Sequence, residues 1–227
     1  MNLLIKSAKI IDKNSPHNGK IMDILIKNNK ILKISKSISS NKVKVYKAKN
    51  LHISPGWFDM HVNFSEPGYE QRETIKSGTN AAKKGGYTSV MTMPNTNPSI
   101  DNKGMIEFIK IKQQDNIIDV YPAGNLTLRQ EGNEIVEMHD MNLAGCVAFT
   151  DDKKSIQRSD VLKIAMLYSK DCNAIIMNYP NDKIISENGC VNEGVTSTKL
   201  GLKGIPSLAE EIMLDRDLSL CEYTKSK

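Results

Sequence analysis

The chain has 227 residues, 25% of them charged and 39% hydrophobic, a balance that suits one or two globular domains. No apolar run reaches the roughly 18 residues of a membrane-spanning helix, and Lys6 and Lys9 interrupt the apolar start where a secretory leader would be continuous. The expectation is therefore a cytoplasmic protein without a membrane partner, and its net charge of +5 has to be explained by where the lysines sit.

Residues 1–50 hold twelve lysines against only Asp12 and Asp23. These lysines alternate with Ile and Leu at strand spacing, with no arginine and almost no aromatic ring to stack on bases. They predict a solvated sheet face and no nucleic-acid partner. Leu3 to Ile11 reads as a strand, and Asn14-Ser15-Pro16-His17-Asn18-Gly19 as a turn. Asp23 to Lys27 then meets Asn28-Asn29, a hairpin signal, and Lys30 to Ile34 returns. Runs at 43–47 and 51–53 complete a small all-β unit, part of a β-sandwich, over residues 1–54.

From residue 55 the period changes. Strand-like runs at about 56–61, 87–93, 117–123, 146–149 and 174–178 alternate with helical patterns. Thr74 is placed to cap a helix whose inner face carries Ile75, Gly78 and Ala82. The next helices offer Met105, Phe108 and Ile109, then Ile135, Met138 and Met141, then Leu162, Ala165 and Met166. A last helix follows Pro206, with Leu208, Ile212, Leu218 and Cys221 expected inward. Such alternation predicts parallel strands with right-handed crossovers. The fold class is α/β: residues 55–227 make about five βα units of a partial TIM (β/α)8-type barrel, whose closed form needs eight. The four cysteines, Cys146, Cys172, Cys190 and Cys221, form no C-x-x-C pair and predict reduced thiols.

Polar text follows each strand-like run, where α/β barrels place their active sites. The first is P-G-W-F-D-M-H-V-N-F-S-E-P-G over 55–68, the second M-P-N-T-N-P over 93–98 with Asp101-Asn102 downstream, and the fourth A-F-T-D-D over 148–152. A longer run, N-E-G-V-T-S-T-K-L-G-L-K-G-I-P, spans 192–206. Together these resemble the dihydroorotases of the amidohydrolase superfamily. The resemblance implies the family reaction of pyrimidine biosynthesis, reversible cyclisation of N-carbamoyl-aspartate to dihydroorotate, carried out with zinc. It implies metal ligation by His61 and by an aspartate, read as Asp151 with Asp152 the alternative, and substrate binding by Asn95.

The departures from the family pattern carry equal weight. The second histidine of the family's H-x-H is Asn63, the arginine before E-P-G is Ser65, and the strand-five histidine is Tyr179. An amide oxygen is a poor zinc ligand, and a neutral phenol is a weak one. The expectation is a dihydroorotase-like chain that is inactive by itself, with zinc absent or weakly held and no catalytic residue assigned. As a structural partner it would join copies of itself, aspartate carbamoyltransferase or an active dihydroorotase. The alternatives are a working cyclic amidase completed by a missing C-terminal half, and a gene fragment without function. An open half-barrel also predicts poor solubility for the chain alone.

Overall fold

A computed structural model describes residues 2–40, 43–114 and 117–227. Contacts divide the chain into two units, Met1–Gly56 and Trp57–Lys227, against 54 and 55 in the sequence reading.

The first unit is a five-stranded sheet of β1 (Leu3–Ile10), β2 (Ile21–Lys27), β3 (Lys30–Ser35), β4 (Lys44–Tyr46) and β5 (His52–Ile53). Its order is β3-β2-β1-β4, with β5 also on β1. Asn28 and Asn29 both adopt positive φ, 50° and 60°, as a two-residue hairpin of matching twist requires. The register of β1 on β2 breaks between Ile5 and Ala8, where Ser7 is left-handed (φ 54°). A buried carboxylate secures that break. Asp23 accepts Lys6 Nζ at 2.6 Å and the backbone N–H groups of Ser7 and Ile38 at 2.9 Å each. Burial by itself would raise the Asp23 carboxyl, but Lys6 and the two amides outweigh it and hold the group below the usual carboxylate value. Lys6 is thus tied to Asp23 and is not simply a solvated strand lysine.

The second unit carries β6 (Trp57–Val62), α1 (Ile75–Gly85), β7 (Tyr87–Thr92), α2 (Lys103–Lys112) and β8 (Asp119–Gly124). It continues through α3 (Met138–Leu143), β9 (Ala148–Phe149), α4 (Ser159–Asp171) and β10 (Ile175–Ile176). The strands form one parallel sheet in the order β10-β9-β8-β7-β6, a curled partial barrel with each strand beside its predecessor in the chain. After β10 come β11 (Val191–Asn192), α5 (Val195–Leu200), β12 (Gly204–Ile205) and α6 (Leu208–Thr224).

Local chemistry fixes the helix positions. Thr74 Oγ1 accepts Ser77 N at 3.1 Å and Ser77 Oγ accepts Thr74 N at 3.0 Å, a reciprocal cap for α1. Gly86 ends that helix with φ 91°. Gly78 is required by close packing: a Cβ there would lie 2.3 Å from the Phe64 ring. Helix α2 is capped by Asn102, whose Oδ1 accepts Met105 N at 3.2 Å. The main core joins Phe64, Ile75, Val90, Ile106, Phe149 and Leu162 between sheet and helices.

Three expectations need correction. Helix α2 centres its buried face on Ile106 and Ile109, with Met105 and Phe108 only partly buried, because Met105 lies in the exposed first turn. Ile135 is not helical; it bridges Thr127, and α3 begins only at Met138. Helix α6 buries Ala209, Met213, Asp217 and Thr224, while Leu208, Ile212 and Leu218 are exposed. Apolar residues surround α6, so their spacing does not choose a face. Small Ala209 and the bonding of Asp217 to Asn178 and Arg216 decide it.

All four cysteines are unpaired, and burial pushes the Cys146 thiol up to about 12. Among the described residues no helix is long and apolar enough to cross a membrane.

Asp23→Asn is expected to destabilise the protein by about 3 kcal/mol at pH 7, since it removes the buried charge that Lys6 and the Ser7 and Ile38 amides hold. Because the folded-state pKa is depressed, this stabilisation is present above the unfolded value of about 3.9 and is lost as pH falls through the folded one. Urea denaturation at pH 7 and pH 3 should show a wild-type advantage that closes at the lower pH.

Candidate functional site

The C-terminal ends of the parallel strands lie on one side of the sheet, and polar side chains gather there. His61 is the penultimate residue of β6 and Asn63 follows it. Asn95 lies beyond β7, Thr127 and Gln130 beyond β8, and Asp151 and Asp152 beyond β9. His61 and Asn63 leave the chain on the same side, as alternate residues of an extended segment do.

The structure brings His61 and Asn95 together around Asp152. His61 Nε2 lies 2.5 Å from Asp152 Oδ1. Asn95 Nδ2 donates to Asp152 Oδ2 and, at 3.0 Å, to Asn63 Oδ1. Gln130 Nε2 reaches Asn95 Oδ1 at 3.5 Å. Both oxygens of the Asp152 carboxylate are therefore engaged by protein donors.

Asp151, the aspartate favoured from the sequence as a metal ligand, makes a different set of bonds. It is 2% exposed. Its Oδ1 accepts the Leu126 and Thr127 backbone N–H groups at 2.9 Å each, and its Oδ2 accepts the Thr127 hydroxyl. Burial raises its carboxyl above the usual value despite those bonds. It clamps the loop after β8 to the end of β9 and, with Asn95 and Asp152, lines one cleft. The difference between the two aspartates is a backbone matter: Asp152 is left-handed, φ 49°, which turns its side chain out of the strand's alternation and toward His61. Asx residues tolerate that conformation.

The end of β10 contributes structure. Asn178 Nδ2 donates to Asp217 Oδ2 of α6 at 2.7 Å. Asp182 Oδ1 accepts the Ile184 and Ile185 N–H groups at 2.8 and 3.0 Å. Tyr179 is 43% exposed. Beside the His61 cluster lies a cleft of about 310 Å³ whose lining includes Tyr69, Arg72, Gln130, Lys153 and Lys154. The Arg72 guanidinium sits over the Tyr69 ring, 4.7 Å from its centroid.

Sequence reasoning missed Gln130 and the bridging use of Asn63. Their only sequence signal was position. Gln130 falls in irregular text after the third strand, where Arg129 and Gln130 are both left-handed, and Asn63 stands two residues from His61.

The donor set bears directly on zinc. Catalytic zinc takes three protein ligands and a water, and a pair of ions needs more. This cluster supplies one imidazole and one carboxylate, with carboxamides around them. Among the described residues no group of three His, Cys, Asp or Glu side chains is placed to share a metal ion. The residues present do not fit a zinc pair.

Comparison with known proteins agrees with this architecture. A protein-family model described as dihydro-orotase-like matches residues 51–227. The chain is 42% identical over 229 residues to a dihydroorotase of Pelotomaculum thermopropionicum, covering 100% of this chain and 53% of that protein. It is 40% identical over 224 residues to one of Acetivibrio thermocellus, covering 98% and 52%. The chain thus spans about half the length of the curated relatives it matches. In fold it resembles the L-hydantoinase (dihydropyrimidinase) from Arthrobacter aurescens, with a TM-score of 0.77 at 19% identity over 98% of this chain and 51% of that one.

Asn63→His adds a second imidazole beside Asp152 and completes a set of two histidines and one carboxylate. Its zinc affinity, read by competition with a chromogenic chelator, is expected to exceed wild type by at least about tenfold.

Proposed function

The chain belongs to the dihydro-orotase-like family, and on that premise we propose that it is a dihydroorotase homologue of pyrimidine biosynthesis that does not turn over dihydroorotate by itself. One observation carries the reading: His61 and Asp152 are bonded to each other at 2.5 Å, and Asn95 takes the second oxygen of Asp152. Opening a cyclic amide needs an activated water and a carboxylate free to accept its proton. Here the carboxylate already has donors on both oxygens. The cations that would lower the pKa of water lack ligands in this set.

Binding without turnover is compatible with the same residues. Arg72, Lys153 and Lys154 line the cleft that Asn95, Asp151 and Asp152 also line; with both aspartates bonded within the protein, the three cations suit a carboxylate ligand. Asn95 is the residue of this site assigned to substrate. The role that follows is that of a non-catalytic partner, for copies of itself, for aspartate carbamoyltransferase or for an active dihydroorotase.

Dihydroorotate hydrolysis and metal content, measured on the same zinc-equilibrated sample, test the proposal. The expected result is no turnover above buffer and less than one zinc per chain. Two zinc ions per chain with chelator-sensitive turnover would refute it.

A further inference from the structure

We propose that Arg72 is the carboxylate-binding residue of the cleft beside His61, and that its ligand is a small acid that also carries an amide N–H. This assignment rests on the reading above that the site binds without turnover, and it identifies the groups that bind.

The chain has four arginines. Arg129, Arg158 and Arg216 each pair with a carboxylate one or two residues away, on Glu131, Asp160 and Asp217. Among the described residues Arg72 alone has no carboxylate within ion-pair reach. Its guanidinium lies instead over the Tyr69 ring. Stacking fixes the plane of the group and covers one face, while the N–H edge stays free for a bidentate partner. Position 65, where the family pattern has arginine, offers only a hydroxyl. Arg72 is therefore the guanidinium that this cleft has.

The loop around it is built to hold it there. Tyr69 N donates to Ser65 O at 2.9 Å and Arg72 N to Tyr69 O at 2.8 Å, two successive turns. Asn97 N donates to Pro67 O at 3.0 Å. At Gly68, φ 94°, a Cβ would overlap the Asn97 carbonyl, so glycine lets the two backbones approach. The Arg72 loop and the Asn95 loop thus pack as one unit, and both line the cleft. Lys153 and Lys154 also line it, but both are exposed and neither is stacked on a ring. An ammonium is a point charge without a fork, so these two draw an anion in and do not fix its orientation.

Asn95 defines the second half of the ligand. Its Nδ2 already donates to Asp152 Oδ2 and Asn63 Oδ1. Its Oδ1 meets Gln130 Nε2 only at 3.5 Å, the outer limit of a hydrogen bond. A carboxamide oxygen has two lone pairs, so what Asn95 has left to offer is an acceptor, and the ligand must bring a donor. An acid group for Arg72 and an amide N–H for Asn95 meet both demands. The cleft of about 310 Å³ stands at the low end of the range of about 300–1,000 Å³ for ligand pockets, which favours a small molecule over a peptide.

Isothermal titration of the 227-residue chain in EDTA tests this with three probes. L-dihydroorotate has both groups, its methyl ester keeps the N–H without the charge, and cyclohexanecarboxylate keeps the charge without the N–H. The wild type is expected to bind dihydroorotate at least about tenfold more tightly than either of the others. Arg72→Gln should weaken dihydroorotate by at least about tenfold and leave the ester unchanged, with the far-UV circular dichroism unaltered. Arg72→Lys should restore only part of the loss, and Lys153→Gln should keep the preference for acid over ester. Equal affinity for acid and ester, a preference that survives Arg72→Gln, or no binding of dihydroorotate by the wild type would overturn the assignment of Arg72. Cyclohexanecarboxylate bound as tightly as dihydroorotate would overturn that of Asn95. With zinc withheld by EDTA, failure here would leave the no-turnover reading standing, whereas chelator-sensitive turnover would overturn that reading alone.

Discussion

His61 and Asp152 touch, although their strands are not neighbours. β6 and β9 stand three places apart in the sheet, a separation of roughly 14 Å if the sheet were flat. A contact of 2.5 Å between their side chains requires the sheet to curl so that strand ends lean inward. Parallel order supplies the other condition, since every strand then presents its C-terminal end on the same side. Curl and common direction together bring residues 61, 95, 130 and 152 into one cluster, and they also create the open concave face behind it.

Within the cluster, hydrogen bonds tie the polar side chains to one another. Asp152 is nearly buried and is satisfied by His61 and Asn95, which avoids the large penalty of an unpaired buried charge. Asn63 accepts from the same Asn95 amide, so four side chains lock one another. Asp151 works behind them: its bonds to Leu126 and Thr127 set the loop that carries Gln130. Both adjacent aspartates line the cleft, but Asp151 spends its bonds on the loop after β8 and Asp152 on His61 and Asn95.

Much of this was legible in the residues. Five strand runs and their alternation with helices predicted a parallel partial barrel, and Thr74 and Asn28-Asn29 announced a cap and a hairpin by local hydrogen-bonding and φ requirements. His61 and Asn95 were singled out by their match to family motifs, and the structure brings both against Asp152. Which of Asp151 and Asp152 bonds His61 was not legible, since Asp152 adopts a left-handed φ that strand alternation does not anticipate. Gln130 lay in text with no periodicity. The face of α6 was misjudged because Leu208, Ile212 and Leu218 are as apolar as any inward residue.

Crystals of the chain grown in zinc and measured on both sides of the zinc absorption edge would test the metal-free pairing of His61 and Asp152 most directly. The expected map keeps the imidazole against the carboxylate, with no strong anomalous peak at the strand ends. Two peaks about 3.5–4 Å apart between these side chains, with His61 swung away from Asp152, would contradict it.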